Sequence, residues 1–195
     1  PLLVALYSVA IMAVPWLAIF ATFDQTASDI ATRHIRFLLI RTDRATLYVG
    51  RALGGLAFIA MAEAVGLAVL AITLAAKGEL GGLGGAVYLV RMWVCLVLYS
   101  APFVALTAAC GVLTGRPMWA LACSMAFWFG VVIIAGLGSL ANDSFSSLTY
   151  AIPTEMKYHL ISDDLSDLGG AFAHMAILTA AYFSIGYGYL RRRTL

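Results

Sequence analysis

The stretch ALGGLAFIAMAEAVGLAVLAITLAA, residues 52–76, carries a single charged side chain, Glu63. A helix rises about 1.5 Å per residue, so about 20 apolar residues cross a hydrocarbon core of about 30 Å. The stretch is long enough for one crossing and too continuous for a barrel strand, whose residues alternate between lipid and lumen. Similar runs cover about 2–23, 86–113, 118–140 and 171–190. The expected fold is therefore all-α, a polytopic membrane helix bundle forming one transmembrane domain over residues 1–195. Pro15 and Pro102 are expected to bend the first and third runs.

Composition agrees with this reading. Apolar residues make up 63% of the chain and charged residues 11%, and mean hydropathy is +0.94. Soluble domains run about 45–50% apolar and about 25% charged. A water-soluble fold of this size buries only about 70% of the surface its unfolded chain exposes. Cys95, Cys110 and Cys123 lie inside apolar runs, with no CxxC or Cys/His pairing. They are read as packing residues, and no metal site is expected. A net charge of +2 is too small to suggest nucleic acid. The chain enters an apolar run directly at Pro1, without the basic region or cleavage pattern of a secretory signal. A further span before Pro1, six in all, is expected.

The connectors set the orientation. One side receives the segment between the first two spans, the turn at Gly115–Pro117 and the tail after Leu190. It holds Arg33, Arg36, Arg41, Arg44, Arg51, Arg116, Arg191, Arg192 and Arg193, nine of twelve basic residues. The positive-inside rule makes this the cytoplasmic side, with the C-terminus inside. The opposite side receives the turn near Lys77 and the loop 141–170, with Glu79, Asp143, Glu155, Asp163, Asp164 and Asp167.

The connector 26–44 is expected to form a helix capped by Ser28, with Asp29 in its first turn. At about 100° per residue, Asp29, Arg33, Arg36, Phe37, Arg41 and Arg44 share one half of its surface, and Ile35, Leu38 and Leu39 the other. Such a helix would lie flat on the membrane. Two uses fit its residues: anchoring on anionic headgroups, or docking a soluble partner with Phe37 as anchor and arginines as rim.

The segment DIATRHIRFLLIRTDR, residues 29–44, followed by Gly50, Arg51 and Gly54, resembles the signature of ABC-2 type permeases, the membrane subunits of ABC exporters. That pattern runs from an acid through Gly-Thr-Leu-Arg and two leucines to a turn ending in arginine. Gly-Lys-x-x-Gly then opens the next span. Asp29, the run Arg36 to Leu39, Arg44, Gly50 and Gly54 match it. Arg33 and His34 stand where Gly-Thr is common, and Arg51 where Lys is. The layout is similar too: four spans after the motif, a large external loop before the last, and a basic tail.

The resemblance implies a permease subunit in the plasma (bacterial inner) membrane, pairing with a second copy of itself or a related permease. It makes 26–44 a coupling helix on a separate ATPase, with Asp29, Arg33, Arg36, Phe37, Arg41 and Arg44 as docking residues. ATP and Mg would be bound by that ATPase, since this chain has no GxxxxGK[ST]. No cofactor and no enzymatic activity are expected here.

Glu63 sits near mid-membrane, where an acid costs about 3 kcal/mol or more and must face a cavity or a partner. It is the candidate for the substrate path. Arg91 is expected to reach outward, and His174 to be a satisfied packing residue. Within 141–170, Pro153 opens a stretch expected to form a short surface helix, able to meet an external partner or simply to cover the path. Two other functions were weighed: a membrane scaffold recruiting a cytoplasmic protein without transport, and an intramembrane hydrolase using Ser139 with His174.

Overall fold

The computed structural model describes residues 2–140, 142–157, 159–162 and 164–192, excluding the side chains of 2–6, 36, 143, 144, 146 and 161. Asp163 and Arg193 lie outside the described residues, as do the side chains of Arg36 and Asp143. The helices are α1 (Leu2–Ala31), α2 (Ile35–Leu38), α3 (Arg44–Ala76), α4 (Gly82–Thr114), α5 (Pro117–Ser139) and α6 (Leu165–Arg192), and there is no strand among the described residues. All but α2 are long and apolar enough to cross a membrane. The protein is an all-helical, multi-pass bundle.

Helix α4 is the central post. In its most apolar stretch 78% of residues are buried, against 17% for α3 and α6. Tyr99 and Phe103 of α4 pack edge-on at 5.4 Å, and Phe103 meets Trp128 of α5 at 5.7 Å. Trp16 of α1 closes on Trp128 at 5.5 Å. These aromatic contacts join three spans by shape, which matters where lipid offers no hydrophobic drive between helices. Gly111 admits α1 closely: a Cβ there would lie 3.4 Å from the Ala27 nitrogen. Gly50 and Gly54 face open space.

Three buried threonine and serine hydroxyls are satisfied within their own helices. Thr22 donates to the Ala18 carbonyl at 2.6 Å, Thr107 to Phe103 at 2.7 Å and Ser124 to Ala120 at 2.8 Å. This is the economical answer where water cannot supply a partner.

Three helix ends lie well outside the apolar runs. Helix α1 continues past Phe23 to Ala31, because nothing from Asp24 to Ala31 breaks it, and Thr26 and Ala27 are buried. Helix α3 begins at Arg44 rather than Ala52, because Asp43 caps it: the carboxylate accepts from the Thr46 N–H at 3.1 Å and from the Thr46 hydroxyl. Helix α6 begins at Leu165, where Asp164 accepts from the Ser166 N–H at 3.0 Å. Helix α4 runs on through Pro102 to Thr114, where Gly115 ends it in the left-handed conformation at φ 64°.

The loop before α6 forms three short 3-10 turns, Asp143–Ala151, Glu155–Lys157 and His159–Ile161. The expected surface helix is replaced by turns that dip into the bundle, burying Ile152 and Leu160 in its core. Arg91 donates to the Ser162 carbonyl in the loop before α6, and Trp128 Nε1 donates to Thr154 Oγ1 at 3.1 Å. Among the described residues His174 is not satisfied: its ring stands edge-on to Tyr150, and its buried Nε2 has no partner there. Ser139 donates to the Gly136 carbonyl of its own helix.

Candidate functional site

The candidate places are the arginine-bearing end of the bundle and the cleft around Glu63; the other buried charge among the described residues, Lys157, donates to Met12 Sδ at 3.8 Å.

The arginine-bearing end is built on the break between α1 and α3. Helix α1 stops where the Thr32 N–H reaches the Ser28 carbonyl at 2.9 Å and the Arg33 N–H reaches Ile30 at 3.2 Å. Arg33 then takes φ 59°, the one positive φ among described residues other than glycines. A side chain there costs about 1–2 kcal/mol against a right-handed conformation. One helical turn, Ile35–Leu38, follows, with Leu39 N–H on the Ile35 carbonyl and Arg41 N–H on Leu38. Asp43 closes the connector by capping α3.

The single helix expected over 26–44 is therefore divided. Residues 26–31 belong to α1, so Ser28 lies inside a helix and caps none. The αL step at Arg33 redirects the chain before the one-turn helix. The expected faces change accordingly. Ile35 is 2% exposed and packs with Tyr48, Val112 and Leu190. That burial fixes the turn to three spans and contributes about 2 kcal/mol. Phe37 and Ile40 point away, at 69% and 80% exposed, with exposed Arg33 and Arg41 beside them.

The docking residues named from sequence divide into two sets. Arg33, Phe37 and Arg41 are exposed on the connector, and Arg36 lies in the same helical turn. Asp29 instead pairs with Arg51 across α1 and α3 at 2.6 Å. Arg44 Nη1 donates to the carbonyls of Leu190 and Arg191, at 3.0 and 2.9 Å. These two groups hold the connector to the bundle from both flanks. Arg116, Arg191 and Arg192 extend the exposed basic surface around it. The Thr46 hydroxyl and N–H hold Asp43 below the usual carboxylate value.

Glu63 lies three residues past Ala60, the midpoint of Arg44–Ala76, so about 4.5 Å from the middle of the helix. It is 8% exposed, and neither carboxylate oxygen has a partner among the described residues. It borders a cleft of about 340 Å³ between α1, α3 and α4, beside Val14, Leu17, Leu67, Leu70 and Leu96. Arg91 is engaged with Ser162 and does not pair with it.

Sequence reasoning passed over the Asp43 cap, although Asp43 followed by Thr46 is a readable helix start. It also passed over the Arg44 and Arg51 contacts, which join residues far apart in the chain and leave no local signature. No group of three or more His, Cys, Asp or Glu side chains among the described residues is placed to hold a metal. No family model matches the sequence, and no curated protein does either.

Proposed function

We propose that this chain is the membrane-spanning subunit of an ATP-driven exporter of the ABC-2 type, with its connector docked on a separate ATPase subunit. The observation that carries the reading is Phe37 with Ile40, two large apolar side chains exposed among arginines on a turn whose other face is locked into the bundle. An aromatic anchor with a basic rim suits a pocket on a protein partner. Burying Ile35, and tying the flanks through Asp29–Arg51 and Arg44–α6, lets a push on the connector reach α1, α3 and α6 together. Transmission of this kind needs a stiff element with different contacts in two states.

The αL step at Arg33 supports the same reading. The permease pattern commonly has glycine there, and glycine is the residue that adopts this conformation without strain. The basic end then faces the cytoplasm, with the C-terminus, and the membrane is the plasma (bacterial inner) membrane. ATP and Mg belong to the partner ATPase. The path lies between this subunit and a second copy or a related permease, with Glu63 on its wall.

Isolation from its native membrane in lipid nanodiscs tests the reading. The chain should emerge with a stoichiometric subunit bearing a GxxxxGK[ST] loop, and the complex should hydrolyse ATP. Isolation of the folded chain without such a subunit would overturn the proposal.

A further inference from the structure

The orphaned carboxylate and the cleft that its residue borders define a ligand. Ionisable groups inside membrane helices pair with one another or face a functional cavity, yet both Glu63 oxygens lack a partner among the described residues while the residue is more than nine-tenths buried. The ten other residues lining the cleft are apolar side chains or glycine. Its volume of about 340 Å³ falls among small-molecule sites, which span about 300–1,000 Å³. Val9 and Leu17 at its edge are exposed on the outside of the bundle, so the entrance lies on the face turned to hydrocarbon. An occupant must bring what the cleft lacks, a positive N–H donor. It must also bring what the walls match, an apolar body soluble in the bilayer.

We propose that the Glu63 cleft binds a hydrophobic amine, with its ammonium on the Glu63 carboxylate and its hydrocarbon body along Val14, Leu67, Leu70 and Leu96. A second copy of the chain is a poorer occupant. Three described cationic side chains that border the spans are engaged within their own chain: Arg51 pairs with Asp29, Arg91 donates to the Ser162 carbonyl, and the buried Lys157 donates to Met12 Sδ at 3.8 Å. That such amines are the exported cargo rests on the exporter reading above; that they bind here does not.

Binding is measured with radiolabelled N,N-dimethyldodecylamine on the full chain in phosphatidylcholine nanodiscs, against empty nanodiscs, with no ATPase present. A saturable component is expected that the uncharged methyl dodecyl ether does not displace. Glu63→Gln should weaken it about thirtyfold or more, the loss typical of removing one partner of a buried charge pair. Gly66→Leu keeps the carboxylate but fills the cleft, where a Cβ meets nothing within 4 Å, and should abolish the same component. If Glu63→Gln does not fold, Gly66→Leu decides. Absence of saturable binding, equal displacement by the ether, or unchanged binding in the folded variants would overturn the proposal. A cleft already covered by a second copy would show as no saturable binding, and would overturn it too. Because the ATPase takes no part, this result and the isolation experiment can fail separately.

Discussion

Arg44 donates from one guanidinium nitrogen to the carbonyls of both Leu190 and Arg191, so the first residue of α3 caps the last turn of α6. The last carbonyls of a helix lack partners within it, and the negative end of its dipole favours a cation. The contact also closes the arginine-bearing end, because α3 begins where the connector stops.

Arg44→Ala should cost about 1.5–3 kcal/mol, the range for hydrogen bonds from a charged donor. Thermal unfolding of the chain in nanodiscs checks the loss, and protease cleavage near residue 190 should speed up in parallel. Arg44→Lys should recover only part of it, since an ammonium lacks the planar fork that reaches two carbonyls.

Tyr48 and Gly186 fix where α3, α4 and α6 converge. A Cβ on Gly186 would overlap the Tyr48 hydroxyl and approach the Ala109 Cα at 2.9 Å. Gly186→Val should therefore destabilise by about 1–3 kcal/mol or more through overpacking. Tyr48→Phe removes a buried hydroxyl that has no partner among the described residues, and should be neutral or stabilising by about 1 kcal/mol. Melting temperatures of the two variants should move in these opposite senses.

Replacing Arg33 by glycine relieves its left-handed backbone. The gain is reduced by the greater freedom of glycine in the unfolded chain, leaving about 0.5–1 kcal/mol. Arg33→Gly should raise the melting temperature, whereas Arg33→Val should lower it.

The Asp43 cap makes the start of α3 sensitive to acid. Its folded-state value is depressed below the ordinary 3.8, so its contribution is fully present above that value. It is lost as pH falls through the depressed one. Fraying at 43–47 by hydrogen exchange should rise below about pH 4. In Asp43→Asn, which keeps a capping side chain without a titrating group, that rise should be absent.

The spans were legible because an apolar run of about 20 residues has few other solutions in a chain this poor in charge. Their ends were not, for reasons that differ by site. Thr22 and Thr26 lower local hydropathy yet stay helical. Asp43 and Asp164 set starts several residues outside the apolar core. The connector misled most, because charges at helical spacing in 29–44 read as one amphipathic helix. The spacing is the same whether or not Arg33 turns left-handed. Glu63 was legible as an anomaly from its position in the stretch; its lack of a partner and its cleft needed the packing of α1 and α4. Asp29 and Arg44 read as exposed docking charges because their partners, Arg51 and the end of α6, become neighbours only in the folded bundle.

The docked connector is tested most directly by a photo-crosslinking side chain at position 37, irradiated in native membranes with and without ATP. The account predicts one dominant adduct, to an ATPase subunit carrying a GxxxxGK[ST] loop, whose yield changes with nucleotide. It further predicts that Phe37→Asp abolishes the adduct partner's co-purification while leaving the melting temperature of the chain unchanged. Adducts to lipid alone, or to a protein without that loop, would contradict it.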